Sequence, residues 1–109
     1  MMGQFDQLEH LARDIAAKAT ASPDESYTAK LISKGVAKCA KKFGEEAVEL
    51  ALASVAQDKK DTTAEAADVL YHFLVLLQAA GIAPDDVMTE LKRREGTGGL
   101  IEKAARTHG

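Results

Sequence analysis

Lys41-Lys42-Phe43-Gly44-Glu45-Glu46-Ala47-Val48-Glu49-Leu50-Ala51-Leu52 sets carboxylates into an otherwise apolar run. A helix turns by about 100° per residue, so Glu46 and Glu49, three positions apart, lie one turn apart on the same side. Glu65 and Asp68 repeat that spacing in a second apolar stretch that continues through Val69-Leu70-Tyr71-His72-Phe73-Leu74. Neither stretch offers much surface polar enough to face water, so both acid pairs are expected to point into a helical bundle. Asp58-Lys59-Lys60-Asp61-Thr62 between them is a polar turn. A connection this short makes the two helices antiparallel neighbours and brings the acid pairs together.

Buried carboxylates cost much free energy unless they are paired, protonated or bound to a cation. Two like charges about 4 Å apart repel by roughly 4 kcal/mol at an effective dielectric of 20, and a bound cation removes most of that. Oxygen ligands without thiolates suit a hard ion, Mg²⁺ or alternatively Mn²⁺, rather than zinc. A carboxylate-bridged di-iron bundle shows Glu-x-x-His. Here Asp68 and His72 are four apart, which counts against that centre.

The flanking chain reads as three more helices. Phe5, Leu8, Leu11, Ile15 and Ala19 recur at three- and four-residue steps, which predicts an amphipathic covering helix near residues 4 to 20. Ser22-Pro23-Asp24-Glu25 has the form of a helix start, with a capping serine, proline at the first position and glutamate three after the cap. The short helix it opens ends at Gly35. The third is expected from about 36 to 57 and the fourth from about 63 to 80, stopping at Gly81. Ala83-Pro84-Asp85-Asp86 opens a fifth that ends at Gly96. Leu100 to Arg106 has room for one or two further turns.

The expected architecture is therefore an all-α bundle of about five helices in a single domain over residues 1–109. At 109 residues the core of one copy is modest, and the two central helices look apolar nearly all round, which predicts completion by a homodimer. A net charge of −3 gives no basic face for nucleic acid or an anionic membrane. No apolar run reaches the length of a bilayer span and no signal-peptide order opens the chain, so the expected location is the cytoplasm. The lone Cys39 reads as a small buried core residue.

Several side chains admit two readings. Thr62-x-x-Glu65 is also a capping box, which offers Glu65 a structural role; Glu46, Glu49 and Asp68 have no such explanation. Glu45 either faces solvent or acts as a base beside the metal. Lys42 and Arg94 flank glycines and are candidate phosphate contacts, as is Lys103; Tyr27 and Thr28 are candidates for ribose or base. His72 shares a face with Glu65 and Asp68, where it touches substrate phosphate, binds metal or is a core histidine bonded to Asp68. Gly44 inside a helix costs about 1 kcal/mol against alanine, so its missing side chain is expected to admit a neighbouring helix or a ligand.

Glu45-Glu46-x-x-Glu49 followed by Glu65-x-x-Asp68 resembles the signature of the all-α nucleotide pyrophosphohydrolases that include the MazG-like enzymes. Within that group the chain is similar to the phosphoribosyl-ATP pyrophosphohydrolase family. Ser26-Tyr27-Thr28, Gly35, Lys42-Phe43-Gly44-Glu45-Glu46, Asp68-Val69-Leu70-Tyr71-His72, Leu91-Lys92-Arg93-Arg94-Glu95-Gly96 and Glu102-Lys103-Ala104 carry that likeness in order. Phe43 departs from an expected valine, and Thr97-Gly98-Gly99 from a serine-glycine pair. The resemblance implies magnesium-dependent hydrolysis of 1-(5-phosphoribosyl)-ATP to 1-(5-phosphoribosyl)-AMP and pyrophosphate in histidine biosynthesis. Glu46, Glu49, Glu65 and Asp68 would then hold the ion, with Glu45 orienting water. Two rivals are an enzyme of the same superfamily acting on dUTP or dCTP, and a helical scaffold without catalysis, which leaves the internal acids unexplained.

Overall fold

The computed structural model describes residues 3–96. Its helices are α1 (Asp6–Lys18), α2 (Tyr27–Ser33), α3 (Val36–Val55), α4 (Lys59–Ala80) and α5 (Pro84–Glu95), and no strand occurs among the described residues. The all-α expectation holds. The expected turns at 100–106, the 97–99 segment and Lys103 lie outside the described residues.

Two helix starts differ from the sequence reading, for local reasons. Ser22 does cap a turn, its Oγ accepting from the Asp24 amide and its carbonyl from those of Glu25 and Ser26. That turn is not continued, because Ser26 is extended (φ −137°, ψ 124°) and its own Oγ accepts from the Ala29 amide at 3.1 Å. Helix α2 therefore begins at Tyr27 with Ser26 as its cap. Likewise α4 begins at Lys59, four residues earlier than expected, because Asp58 Oδ1 accepts from the Asp61 amide at 3.0 Å. Thr62 lies inside the first turn and bonds back to the Asp58 carbonyl.

The consequence bears on Glu65, which now sits well within α4 and has no cap to serve. Asp58→Ala is expected to cost about 1 kcal/mol in urea unfolding. Thr62→Ala, which removes no cap, is expected to cost less than half of that.

Ala56-Gln57-Asp58 joins α3 to α4 with Gln57 in the left-handed region at φ 61°, a conformation that costs a non-glycine residue some strain. This tight reversal makes α3 and α4 an antiparallel pair. Phe43 and Phe73 pack across it with ring centroids 6.2 Å apart, so Phe43 serves as interhelix packing.

The core lies at one end of the pair. Ile15, Leu31, Cys39, Leu74, Val75 and Leu77 are buried together, with Leu8, Leu11, Ile32, Tyr71 and Val87 packed against them. Cys39 is a core residue as expected, its thiol donating to the Leu31 carbonyl. From α3 only Cys39 and Glu46 are buried, and from α4 only His72, Leu74, Val75 and Leu77. The second half of α3 and the first half of α4 thus form a two-helix arm beyond the cover of α1 and α2.

That arm exposes an apolar stripe: Gly44, Val48, Ala51, Leu52 and Val55 follow one another at helical spacing, and Leu52 and Val55 are 65% and 81% exposed. Nothing lies within 4 Å of where a Gly44 Cβ would stand. Among the described residues, then, no neighbouring helix uses the space that this glycine leaves.

Candidate metal centre

The arm carries the acids on its inner seam. Carboxylate oxygens of Glu46, Glu49 and Glu65 lie within 4.8 Å of one another. Spacing of three on α3 supplies the first two, and the antiparallel turn of α4 brings the third opposite them. Asp68 stands outside this set and is exposed, yet close enough for its charge to act on Glu65. Glu45 is exposed, one helical turn before Glu49.

The electrostatics of the three are unequal. Glu46 is 9% exposed and is paired with Lys42 Nζ at 3.4 Å. The hydrogen bond to Glu46, and then its charge, raises the Lys42 pKa; smaller contributions from Tyr27 and Glu45 act in the same direction. Lys42 therefore stands within electrostatic reach of α2 as well as of the acids. No ion pair reaches Glu49 or Glu65 among the described residues. Glu65 Oε2 is buried without a hydrogen-bond partner. Burial first, then the charges of Glu49, Glu46 and Asp68, push the Glu65 carboxyl above its ordinary pKa.

A carboxylate oxygen shut away from water, facing two more carboxylates, is an arrangement that a chain keeps at a cost unless something positive satisfies it. A hard divalent cation fits this donor set: all ligands are oxygens, from two facing helices, with no thiolate among them. The residues present fit the group the acid spacing implied.

The other candidate residues fall into three situations. His72 is buried beside Tyr71, ring centroids 5.0 Å apart and edge-on. Burial lowers its pKa, with Glu46 and Asp68 pulling the other way and Lys42 reinforcing the drop. Tyr27 is 58% exposed and lines an open depression of about 390 Å³ with Pro23, Asp24, Glu25, Ser26 and Lys30. Its neighbour Thr28 is buried and hydrogen-bonds the Tyr71 hydroxyl, so it faces the core where the sequence reading put it toward substrate.

Arg94 lies in the last turn of α5 and its Nε donates to Glu90 Oε1 at 3.0 Å; Arg93 donates to the same carboxylate. Between them the two guanidinium groups lower the Glu90 pKa to about 2. Sequence reading passed over Glu90, although the steps of three and four to Arg93 and Arg94 are the signal for such a fork. It also passed over Tyr71 as a bonding partner, since 43 positions separate it from Thr28 and no local pattern marks the pair.

A family model described as phosphoribosyl-ATP pyrophosphohydrolase matches residues 8–95. The chain is 53% identical over 109 residues to a phosphoribosyl-ATP pyrophosphatase of Rhizorhabdus wittichii, covering the whole of both. It is 56% identical over 99 residues to a protein of the same name from Agrobacterium fabrum, covering 91% of this chain and 92% of the relative. A third, from Methylobacterium nodulans, is 57% identical over 99 residues with the same coverage. The matched span runs through all five helices and includes every acid of the cluster, and the chain belongs to the phosphoribosyl-ATP pyrophosphohydrolase family.

Proposed function

We propose that this protein hydrolyses 1-(5-phosphoribosyl)-ATP to 1-(5-phosphoribosyl)-AMP and pyrophosphate, the second step of L-histidine biosynthesis. The observation that carries this reading is the buried, unpartnered Glu65 oxygen facing Glu46 and Glu49, in a chain whose full-length relatives bear that enzyme's name.

Glu46, Glu49 and Glu65 would hold Mg²⁺, with Asp68 alongside; Mn²⁺ is the alternative ion. When bound there, a hard cation supplies positive charge against the polyphosphate and acidifies water. Glu45, exposed one turn before Glu49, orients the attacking water and takes its proton; Glu46 fixes Lys42 so that its ammonium faces phosphate. The water oxygen bonds to the α-phosphorus as the bond to the bridging oxygen breaks, and pyrophosphate leaves with that oxygen. Positioning and electrostatics carry most of such a transfer, so no covalent nucleophile is required, and buried Cys39 is not one. Neutral His72 closes the dry side of the site. Tyr27 takes the nucleoside end, while Arg94 and Lys103 meet phosphates once substrate arrives.

The active form is a homodimer in the cytoplasm. The reading is supported by the Gly44-to-Val55 stripe, which no part of the described chain covers. Steps of 100° per residue put Glu45 between Leu52 and Glu49, so a second copy on the stripe borders the acid cluster.

Pyrophosphate release with Mg²⁺ tests the assignment, offering phosphoribosyl-ATP beside ordinary and deoxy nucleotides. Turnover confined to phosphoribosyl-ATP is the expected outcome. Turnover of dUTP or dCTP instead would move the substrate to the nucleotide pool while keeping the metal site.

A further inference from the structure

Helix α2 spans seven residues, about two turns, and a helix this short has little stability of its own. What holds it is tertiary. Ala29 and Leu31 are buried, Ser26 caps the first turn, and the Thr28 hydroxyl meets the Tyr71 hydroxyl of α4. Thr28 is 6% exposed while Tyr27, one residue before it, stands out in solvent. Neighbouring positions on a helix differ by about 100°, so turning Thr28 inward sets the direction of Tyr27.

The other end of this bond is rooted in the acid-bearing helix. Tyr71 follows Asp68 by three residues, one turn along α4, and its ring packs edge-on against His72 at 5.0 Å. His72 in turn lies close enough to Glu46, Lys42 and Asp68 to be affected by their charges. Lys42 is within reach of both Glu46 and Tyr27. The Thr28–Tyr71 bond therefore ties the helix that presents Tyr27 to the helix that presents Glu65 and Asp68.

We propose that the Thr28–Tyr71 hydrogen bond is a positioning device: it sets where Tyr27 stands relative to the acid cluster, and thereby the affinity for the nucleoside end of the substrate rather than the rate of the chemical step. Thr28 and Tyr71 are positioning residues, acting through Tyr27. The proposal rests on the substrate assignment made above for its kinetic consequence, and on geometry alone for its structural one.

Steady-state kinetics on the full chain with Mg²⁺ and phosphoribosyl-ATP give the first readout. A net side-chain hydrogen bond of ordinary strength corresponds to about a fivefold change in binding. Tyr71→Phe and Thr28→Val are each expected to raise KM about fivefold with kcat within about twofold. The double variant should be no worse than either single, because both remove the same bond. Thr28→Ser keeps the hydroxyl and should return KM toward the wild-type value. A purely structural bond would lower Tm and leave KM where it was, and that result overturns the proposal.

The second readout needs no substrate. The chain has two tyrosines and no tryptophan, so ring-labelled tyrosine gives an NMR spectrum of Tyr27 and Tyr71 alone. In Thr28→Val the Tyr27 ring signal is expected to shift and lose order, and in Thr28→Ser it is expected to stay. An unchanged Tyr27 signal in both Thr28→Val and Tyr71→Phe overturns the proposal. Should the wild type fail to hydrolyse phosphoribosyl-ATP, the substrate assignment falls, and the NMR comparison still decides the positioning role.

Discussion

Glu65→Gln is expected to lose at least about a hundredfold in turnover, on the scale of lost metal-site contacts, and yet to melt at a higher temperature than the wild type when both are free of metal. The two effects have one cause. The Glu65 carboxyl is partly buried against Glu46 and Glu49, with Oε2 lacking any partner, so its charge is useful to a cation and unfavourable without one. An amide of the same shape removes the charge and the ligand together.

The sign of the pH dependence follows. The folded-state pKa of Glu65 is raised above the ordinary 4.5, so the folded chain binds this proton more tightly than the unfolded one. Stability of the metal-free wild type then falls as pH rises from 4.5 through the raised value. The melting gap between Glu65→Gln and wild type should open over that window and close as pH returns to 4.5.

Magnesium at a hundred times its Kd adds about 2.7 kcal/mol to a protein that binds it only when folded, which for a domain of this size is a rise of about 10 °C. Wild type should show it and Glu65→Gln should not. A Glu65→Gln protein that turns over normally, or a wild-type melt indifferent to magnesium, would remove the metal assignment. Glu49→Gln is expected to match Glu65→Gln in activity, since its oxygen lies in the same set.

Leu52→Lys is the second large effect expected. Burying a leucine side chain is worth roughly 2 kcal/mol, and in a two-fold symmetric interface each substitution is felt twice. Loss of both leucines, with two ammonium groups brought to an apolar seam, should weaken dimerisation on the order of a thousandfold or more. Light scattering at micromolar concentration should then show a monomer. Val55→Lys, at the far end of the stripe, should act in the same direction.

Gly44 separates this expectation from a general loss of stability. The space over its Cα is open among the described residues, so Gly44→Ala should strengthen α3 by up to about 1 kcal/mol. If a second copy approaches there, the same change weakens the dimer. A variant that is more helical and less dimeric is the signature of a close helix crossing at Gly44. A wild-type protein that scatters as a monomer at every concentration would remove the dimer.

The helices and the acids were readable in the chain because both depend on local spacing. Period-3.6 apolar patterning, Pro84 at a first helical position and Gly81 after a last one act within a few residues, and all correspond to elements that form. The paired steps Glu46 to Glu49 and Glu65 to Asp68, together with a short polar turn, were enough to predict that carboxylates from two helices meet. Tertiary packing decided what local spacing leaves open. The helix starts are not among these: Ser26 rather than Ser22, and Asp58 rather than Thr62, is fixed locally by a side chain that accepts from the amide three residues on. Which acids converge depended on the rotation of α4 against α3, and it brought Glu65 into the set while leaving Asp68 at the edge. Thr28 turned inward for the same reason: 100° separates one position from the next on a helix, so a single contact such as Tyr71, 43 residues away, determines which of two neighbours meets solvent.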